Sequence, residues 1–272
     1  MSLHVESYGS GAALLLIHGW GMHGGIWGSI VPQMAQYFRV HCVDLPGHGY
    51  SKGKREEGRE KGQNPVPPFP LPPSPFSLNS IVDQLSAQFS GPLTLCGWSL
   101  GGLVALRWAQ LAPQQVQRLV LVSSTPCFVE RDDWLFGMAQ ETLQQFAAEL
   151  ERDHATTLRR FLALQVRGSE QERELLSMLR ECLFSRGEPD MAALHGGLEI
   201  LRDADFRGEL ASIRQPVLVI AGKRDKLTPP EAGLYMAQAL PNARAVEIAG
   251  AAHTPFLSHP QIFLQHINGF MA

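Results

Sequence analysis

The sequence lacks the features that would commit it to a membrane, an oxidising compartment or a nucleic acid. Among its 272 residues no run reaches the roughly 18 apolar residues a membrane span requires, and Met1 to Glu6 shows no basic segment leading into an apolar one. There are only four cysteines, Cys42, Cys96, Cys127 and Cys182, with neither CxxC pairing nor metal-like spacing, so they read as small buried hydrophobes. No pair of histidines stands with a carboxylate at metal-ligand spacing, and neither a metal nor another cofactor is expected. The formal net charge of −3 gives no electrostatic case for nucleic acid or an anionic membrane as the main partner. No internal repeat is visible. A soluble, cytoplasmic monomer is the expectation these absences leave.

What is present is an alternation. Strand-length apolar runs recur at Ala13 to Ile17, Val40 to Val43, Leu93 to Cys96, Leu119 to Val122, Val217 to Ala221 and Ala245 to Ile248. Helical patterns separate or follow them: Ile26 to Tyr37, Leu78 to Phe89, Leu100 to Ala112, Glu231 to Leu240 and Gln261 to Met271. Strands alternating with helices predict an α/β protein with a mostly parallel sheet covered on both faces. From Pro126 to Pro189 the alternation stops and helical periodicity takes over, as in Leu135, Met138, Ala139, Thr142, Leu143 and Phe146. The expected organisation is therefore a core from residues 1–125, an inserted helical cap over 126–189, and the second part of the core over 190–272. A further insertion, about 52–76, is charged in its first half and carries seven prolines in its second. Its composition reads as a surface loop, with Pro70-Leu71-Pro72-Pro73 matching a PxxP ligand as the alternative.

The chemistry centres on Gly97-Trp98-Ser99-Leu100-Gly101. A Gly-x-Ser-x-Gly match arises by chance in roughly one chain in ten of this length, but here a strand precedes it and a helix follows. That context defines a nucleophile elbow, in which the flanking glycines let the chain turn sharply and expose the serine Oγ above the sheet. A serine hydroxyl needs a base, and the base needs an acid to orient it, in the chain order Ser, Asp or Glu, His. Asp225 follows the strand Val217 to Ala221, whereas Asp203 and Asp205 precede no suitable strand. His253 lies on a small-residue loop after Ala245 to Ile248. Its nearest rival, His259, reads as the start of the last helix, and His41 and His195 as strand and helix residues. An oxyanion hole is expected from the backbone N–H of Leu100 and that of Trp20, the latter in the loop Ile17-His18-Gly19-Trp20-Gly21.

Taken together, His18-Gly19-Trp20-Gly21, Asp44-Leu45-Pro46-Gly47-His48-Gly49, Gly97 to Gly102, Gly222 to Asp225 and His253 resemble the α/β-hydrolase superfamily over nearly the whole chain. Within it, Arg160-Phe161-Leu162-Ala163-Leu164-Gln165, Gly196 to Leu201 and Ala251 to Phe256 resemble the carboxylesterases that act on pimeloyl-[acyl-carrier protein] methyl ester in biotin synthesis. That resemblance implies an acyl carrier protein as partner, methanol as product, and contact of Trp20, Leu100, Phe161 and Gln165 with the ester end of the substrate. Arginine suits phosphate and carboxylate recognition. Of the arginines in the expected cap, the resemblance favours Arg160 and Arg173 for carrier contact, with Arg159 and Arg167 as further candidates, although Thr156 stands where relatives carry an arginine. A general short-chain carboxylesterase, a carbon-carbon bond serine hydrolase and a non-catalytic ligand-binding protein on the same scaffold remain alternatives.

Overall fold

The computed structural model describes residues 3–52 and 76–272, so most of the expected insertion, with its PxxP sequence, lies outside the described residues. Seven strands form one sheet: β1 (Val5–Tyr8), β2 (Ala12–Ile17), β3 (Phe38–Val43), β4 (Leu93–Trp98), β5 (Val116–Val122), β6 (Val217–Gly222) and β7 (Ala243–Ile248). Their spatial order is β1-β3-β2-β4-β5-β6-β7. All pairs are parallel except β1 with β3, where Val5 faces Val43 and Tyr8 faces Val40. Every residue of β4 and of β6 is buried, as expected for parallel strands covered on both faces. Edge strand β1 reads Val-Glu-Ser-Tyr and is half exposed, so it offers no apolar run to find in the sequence.

Ten α-helices are described: α1 (Val31–Met34), α2 (Leu78–Gln88), α3 (Leu100–Leu111), α4 (Gln140–Arg152), α5 (His154–Val166), α6 (Glu172–Phe184), α7 (Met191–Asp203), α8 (Pro230–Ala239), α9 (Pro255–Ser258) and α10 (Pro260–Met271). The helix expected over Ile26 to Tyr37 is broken. A 3₁₀ turn at Gly24–Trp27 ends at Gly28, and only Val31–Met34 is α-helical, with Pro32 in its first turn. Glycine and an N-terminal proline divide what apolar periodicity alone presents as continuous.

Between β5 and β6 the chain forms α4, α5, α6 and α7. The helical run thus continues to Asp203, past the boundary expected at residue 189, and α7 packs back on α4. Helix α3 packs on β4, β5 and β2, while α8 packs on β6 and β7. After β2 the chain moves to one side for β3, then returns to the other side of β2 for β4. This reversal opens a crevice at the carboxyl ends of β2 and β4, where ligands bind in open α/β sheets.

Candidate active site

Ser99 sits at the end of β4 and caps α3, at φ 54° and ψ −118°. A non-glycine residue in this region is strained and persists only where its surroundings over-determine it. Here they do. The Ser99 N–H donates to Val122 O at the end of β5 (2.9 Å), and Ser99 O accepts from Gly102 N–H (2.9 Å) and from the Ser124 hydroxyl (2.9 Å). The elbow glycines are needed for close approach: a Cβ on Gly97 would strike the carbonyl of Gly101, and one on Gly101 would strike that of Ile17.

His253 lies on the loop after β7 and is 1% exposed. Its Nδ1–H donates to Asp225 Oδ2 (2.8 Å) in a buried pair. Its backbone N–H donates to Gln165 O of α5 (3.0 Å), and its carbonyl accepts the indole N–H of Trp98 (2.8 Å). The Trp98 and His253 rings lie 5.7 Å apart, so the residue immediately before Ser99 ties the histidine loop to the elbow. Gly222 completes the approach, since a Cβ there would meet the carbonyl of Ala252. The rival acids are at the surface: Asp203 pairs with Arg202 and Asp205 with Arg207, both at 2.7 Å. His259 Nδ1 is bonded to Ser258 Oγ (2.9 Å), His41 of β3 to Ser7 Oγ of β1, and His195 of α7 pairs with Glu151 of α4.

The loop after β2 runs against the elbow: a Cβ on Gly19 would lie 3.2 Å from the Cβ of Ser99. Fully buried His18 fixes its course. His18 Nε2 accepts from Leu45 N–H (2.9 Å), which leaves Nδ1–H to donate to Gly19 O (2.8 Å). Because the Gly19 carbonyl and the Trp20 N–H share one trans peptide, anchoring the carbonyl on His18 turns the N–H the opposite way. Burial, reinforced by nearby His48, pushes His18 down to about 3, and burial pushes His48 down to about 4. Leu100 is the first residue of α3, where backbone N–H groups have no partner within the helix.

Trp20 is clasped by the helices above the sheet. Its indole N–H donates to Leu194 O of α7 (2.8 Å), and a Cβ on Gly197 would lie 2.5 Å from its ring. Its ring meets Phe161 of α5 at 5.0 Å and Phe146 of α4 at 5.4 Å, edge to face. Gln165 is 1% exposed, and its side-chain Oε1 has no hydrogen-bond partner among the described residues. Trp20, Phe161 and Gln165 are therefore gathered around the elbow, as is Leu100.

Arginines of the helical segment divide into two kinds. Arg159, Arg160, Arg167 and Arg173 are exposed; Arg160 pairs with Glu149 (3.2 Å) and Arg159 lies over the Phe184 ring. Arg186 instead turns inward, onto Glu6 (2.6 Å) and buried Asp44 (3.1 Å). Asp44 also accepts Gly24 N–H and Tyr50 N–H, and its carboxyl is held below the usual range by those bonds and by neighbouring charges, despite burial. Phe146, Trp98, Ser124, Thr228 and this inward role of Arg186 were not legible as site features. Only Trp98 left a signal, as an indole N–H in a buried position that needs an acceptor.

The family model for the α/β hydrolase fold matches residues 12–260. The chain belongs to the α/β-hydrolase fold family. Among the relatives of this α/β hydrolase, a pimeloyl-[acyl-carrier protein] methyl ester esterase from Nitrosomonas europaea is 43% identical over 263 residues, covering 97% of each chain. One of the same name from Xanthomonas oryzae is 40% identical over 271 residues, covering 99% of each. Among solved structures, an esterase from Exiguobacterium antarcticum superposes with a TM-score of 0.83 at 21% identity, over 98% of this chain and 94% of that one, a likeness of fold. A hydrolase from Pseudomonas aeruginosa gives 0.80 at 26% identity, over 99% and 94%. No helix among the described residues is long and apolar enough to cross a membrane, and no group of three or more His, Cys, Asp or Glu among them could hold a metal ion.

Proposed function

We propose that this α/β hydrolase is a serine carboxylesterase that cleaves the methyl ester of a pimeloyl chain borne by acyl carrier protein, releasing methanol, as a step of biotin synthesis. The full-length identity to esterases of that name supports the substrate. The observation that carries the chemistry is the buried His253–Asp225 bond of 2.8 Å, set behind a strained serine by the Trp98 indole.

In this reading His253 takes the proton of the Ser99 hydroxyl as Oγ attacks the ester carbonyl. The N–H groups of Trp20 and Leu100 hold the oxyanion, a contribution of about 3 to 4 kcal/mol per donor in comparable sites. The tetrahedral intermediate collapses, the C–O bond to methanol breaks, and His253 returns the proton to the departing methoxide oxygen. Water then repeats the sequence on the acyl-enzyme, with His253 again as base, and frees the carboxylate and Ser99. Phe161 supplies an apolar wall for the acyl chain and Gln165 a polar group at its ester end. The exposed arginines Arg160, Arg173, Arg159 and Arg167 are the surface offered to an acidic carrier.

Methanol release from pimeloyl-carrier methyl ester, measured for the wild type and for Ser99→Ala, tests the proposal. Turnover by the wild type and a loss of at least about 10⁴-fold in Ser99→Ala are expected. Equal rates in the two proteins would falsify it.

A further inference from the structure

The four hydrogen bonds accepted by the Asp225 carboxylate divide by oxygen. Oδ1 accepts the backbone N–H groups of Leu227 (2.9 Å) and Thr228 (3.0 Å), which closes the turn after β6. Oδ2 accepts the imidazole Nδ1–H of His253 (2.8 Å) and the hydroxyl of Thr228 (2.8 Å). Thr228 Oγ1 also lies 3.3 Å from His253 Nδ1, so three polar atoms form a closed triangle. Asp225 and Thr228 are each 2% exposed, and bulk water is not a substitute partner there.

Proton inventory fixes the direction of each bond. An ionised carboxylate only accepts, so the single hydroxyl proton of Thr228 goes to Oδ2. The remaining lone pairs of Oγ1 face the Nδ1–H of His253 as a second, weaker acceptor. The hydroxyl thus does two things: it fixes Oδ2 as the two N–H groups fix Oδ1, and it narrows the imidazole to one tilt. Supporting bonds of this kind keep reacting groups within the small tolerances catalysis requires.

We propose that Thr228 is a positioning residue of this hydrolase, acting through Asp225 to hold the His253 imidazole for proton transfer with Ser99. The inference rests on reading Ser99, His253 and Asp225 as the catalytic triad. Thr228→Val keeps the branched shape and deletes the hydroxyl; Thr228→Ala deletes it with less bulk; Thr228→Ser retains it. With p-nitrophenyl acetate, Thr228→Val and Thr228→Ala lose about tenfold or more in kcat at a KM within about twofold of wild type, while Thr228→Ser stays within about threefold in kcat. The downfield proton resonance of His253 Nδ1–H shifts or broadens in Thr228→Val and Thr228→Ala and returns in Thr228→Ser. Wild-type kcat and an unmoved resonance in the hydroxyl-free variants overturn the proposal. So does a Thr228→Ser protein as impaired as Thr228→Val, which would assign the effect to shape. Ser99→Ala is measured alongside: if it is inactive while Thr228→Val behaves as wild type, the role of Thr228 alone falls, whereas an active Ser99→Ala removes the triad and this inference with it.

Discussion

The reacting edge of the sheet and the helices above it are held by different mixtures of backbone and side-chain bonds. At the edge, backbone groups do most of the holding: Ser99 to Val122 and Gly102, His253 to Gln165, and the Asp225 carboxylate to the N–H groups of Leu227 and Thr228. The helices α4 to α7 add side-chain attachments to backbone ones such as Asp190 N–H to Gly47 O (2.8 Å) and Glu170 N–H to Gly250 O (3.3 Å). Arg186 reaches Glu6 and Asp44, His23 donates Nε2–H to Cys182 O (2.7 Å), and Trp20 is gripped by Phe146, Phe161 and the Leu194 carbonyl. Backbone bonds survive changes of side chain, so the geometry of this edge depends little on which side chains surround it. Side-chain attachments change with the sequence, and those of Phe146 and Phe161 lie against Trp20 beside the elbow.

The edge should break hardest. Asp225→Asn leaves the shape but replaces an acceptor with an amide that favours the wrong imidazole tautomer, and kcat should fall by about 10⁴-fold, read from steady-state ester hydrolysis. Acid should loosen the whole assembly next. His18, His48 and His23 are all held neutral by burial, while the unfolded chain takes up protons near 6.5. Their contribution is therefore intact above about pH 6.5 and declines as pH falls toward about 4 for His48 and about 3 for His18. Stability should fall as pH drops below about 6.5, measured by urea unfolding at stepped pH. Flat stability from pH 7 to 5 would contradict it.

Smaller effects separate the attachment from the edge. Arg186→Met removes the charge partner of buried Asp44 while Gly24 and Tyr50 N–H remain, so about 2 kcal/mol of stability should be lost with kcat on a small ester nearly unchanged. Gly197→Ala drives a methyl group into the Trp20 ring and should lower kcat/KM about threefold to tenfold together with about 1 to 3 kcal/mol of stability. If Gly197→Ala left kcat/KM untouched, the packing of α7 on the oxyanion loop would be of no consequence to the chemistry.

This same division decides what could be read from the sequence. Strands β2 to β6 declare themselves as apolar runs because parallel strands inside the sheet are covered on both faces, whereas β1, half polar at one edge, does not, and β7 at the other edge shows only a short run within Ala-Arg-Ala-Val-Glu-Ile. Ser99, Asp225 and His253 follow strand ends, and the fold places such positions at one edge, so order along the chain is enough to propose them. Trp98 bonds a residue 155 positions away, and Thr228, although only three residues from Asp225, meets His253 only once two separate turns come together. Arg186 reads as one more arginine among those of the expected cap, and its partners lie 142 and 180 residues away. Nothing local distinguishes an inward arginine from an exposed one.

The most direct test of the division is the Phe161→Ala protein assayed side by side on pimeloyl-carrier methyl ester and p-nitrophenyl acetate. If the edge performs the chemistry and the helices choose the ester, kcat/KM on the carrier-linked ester should fall at least about tenfold further than on the small ester. Equal losses on both esters, or no loss on the carrier-linked one, would contradict the account.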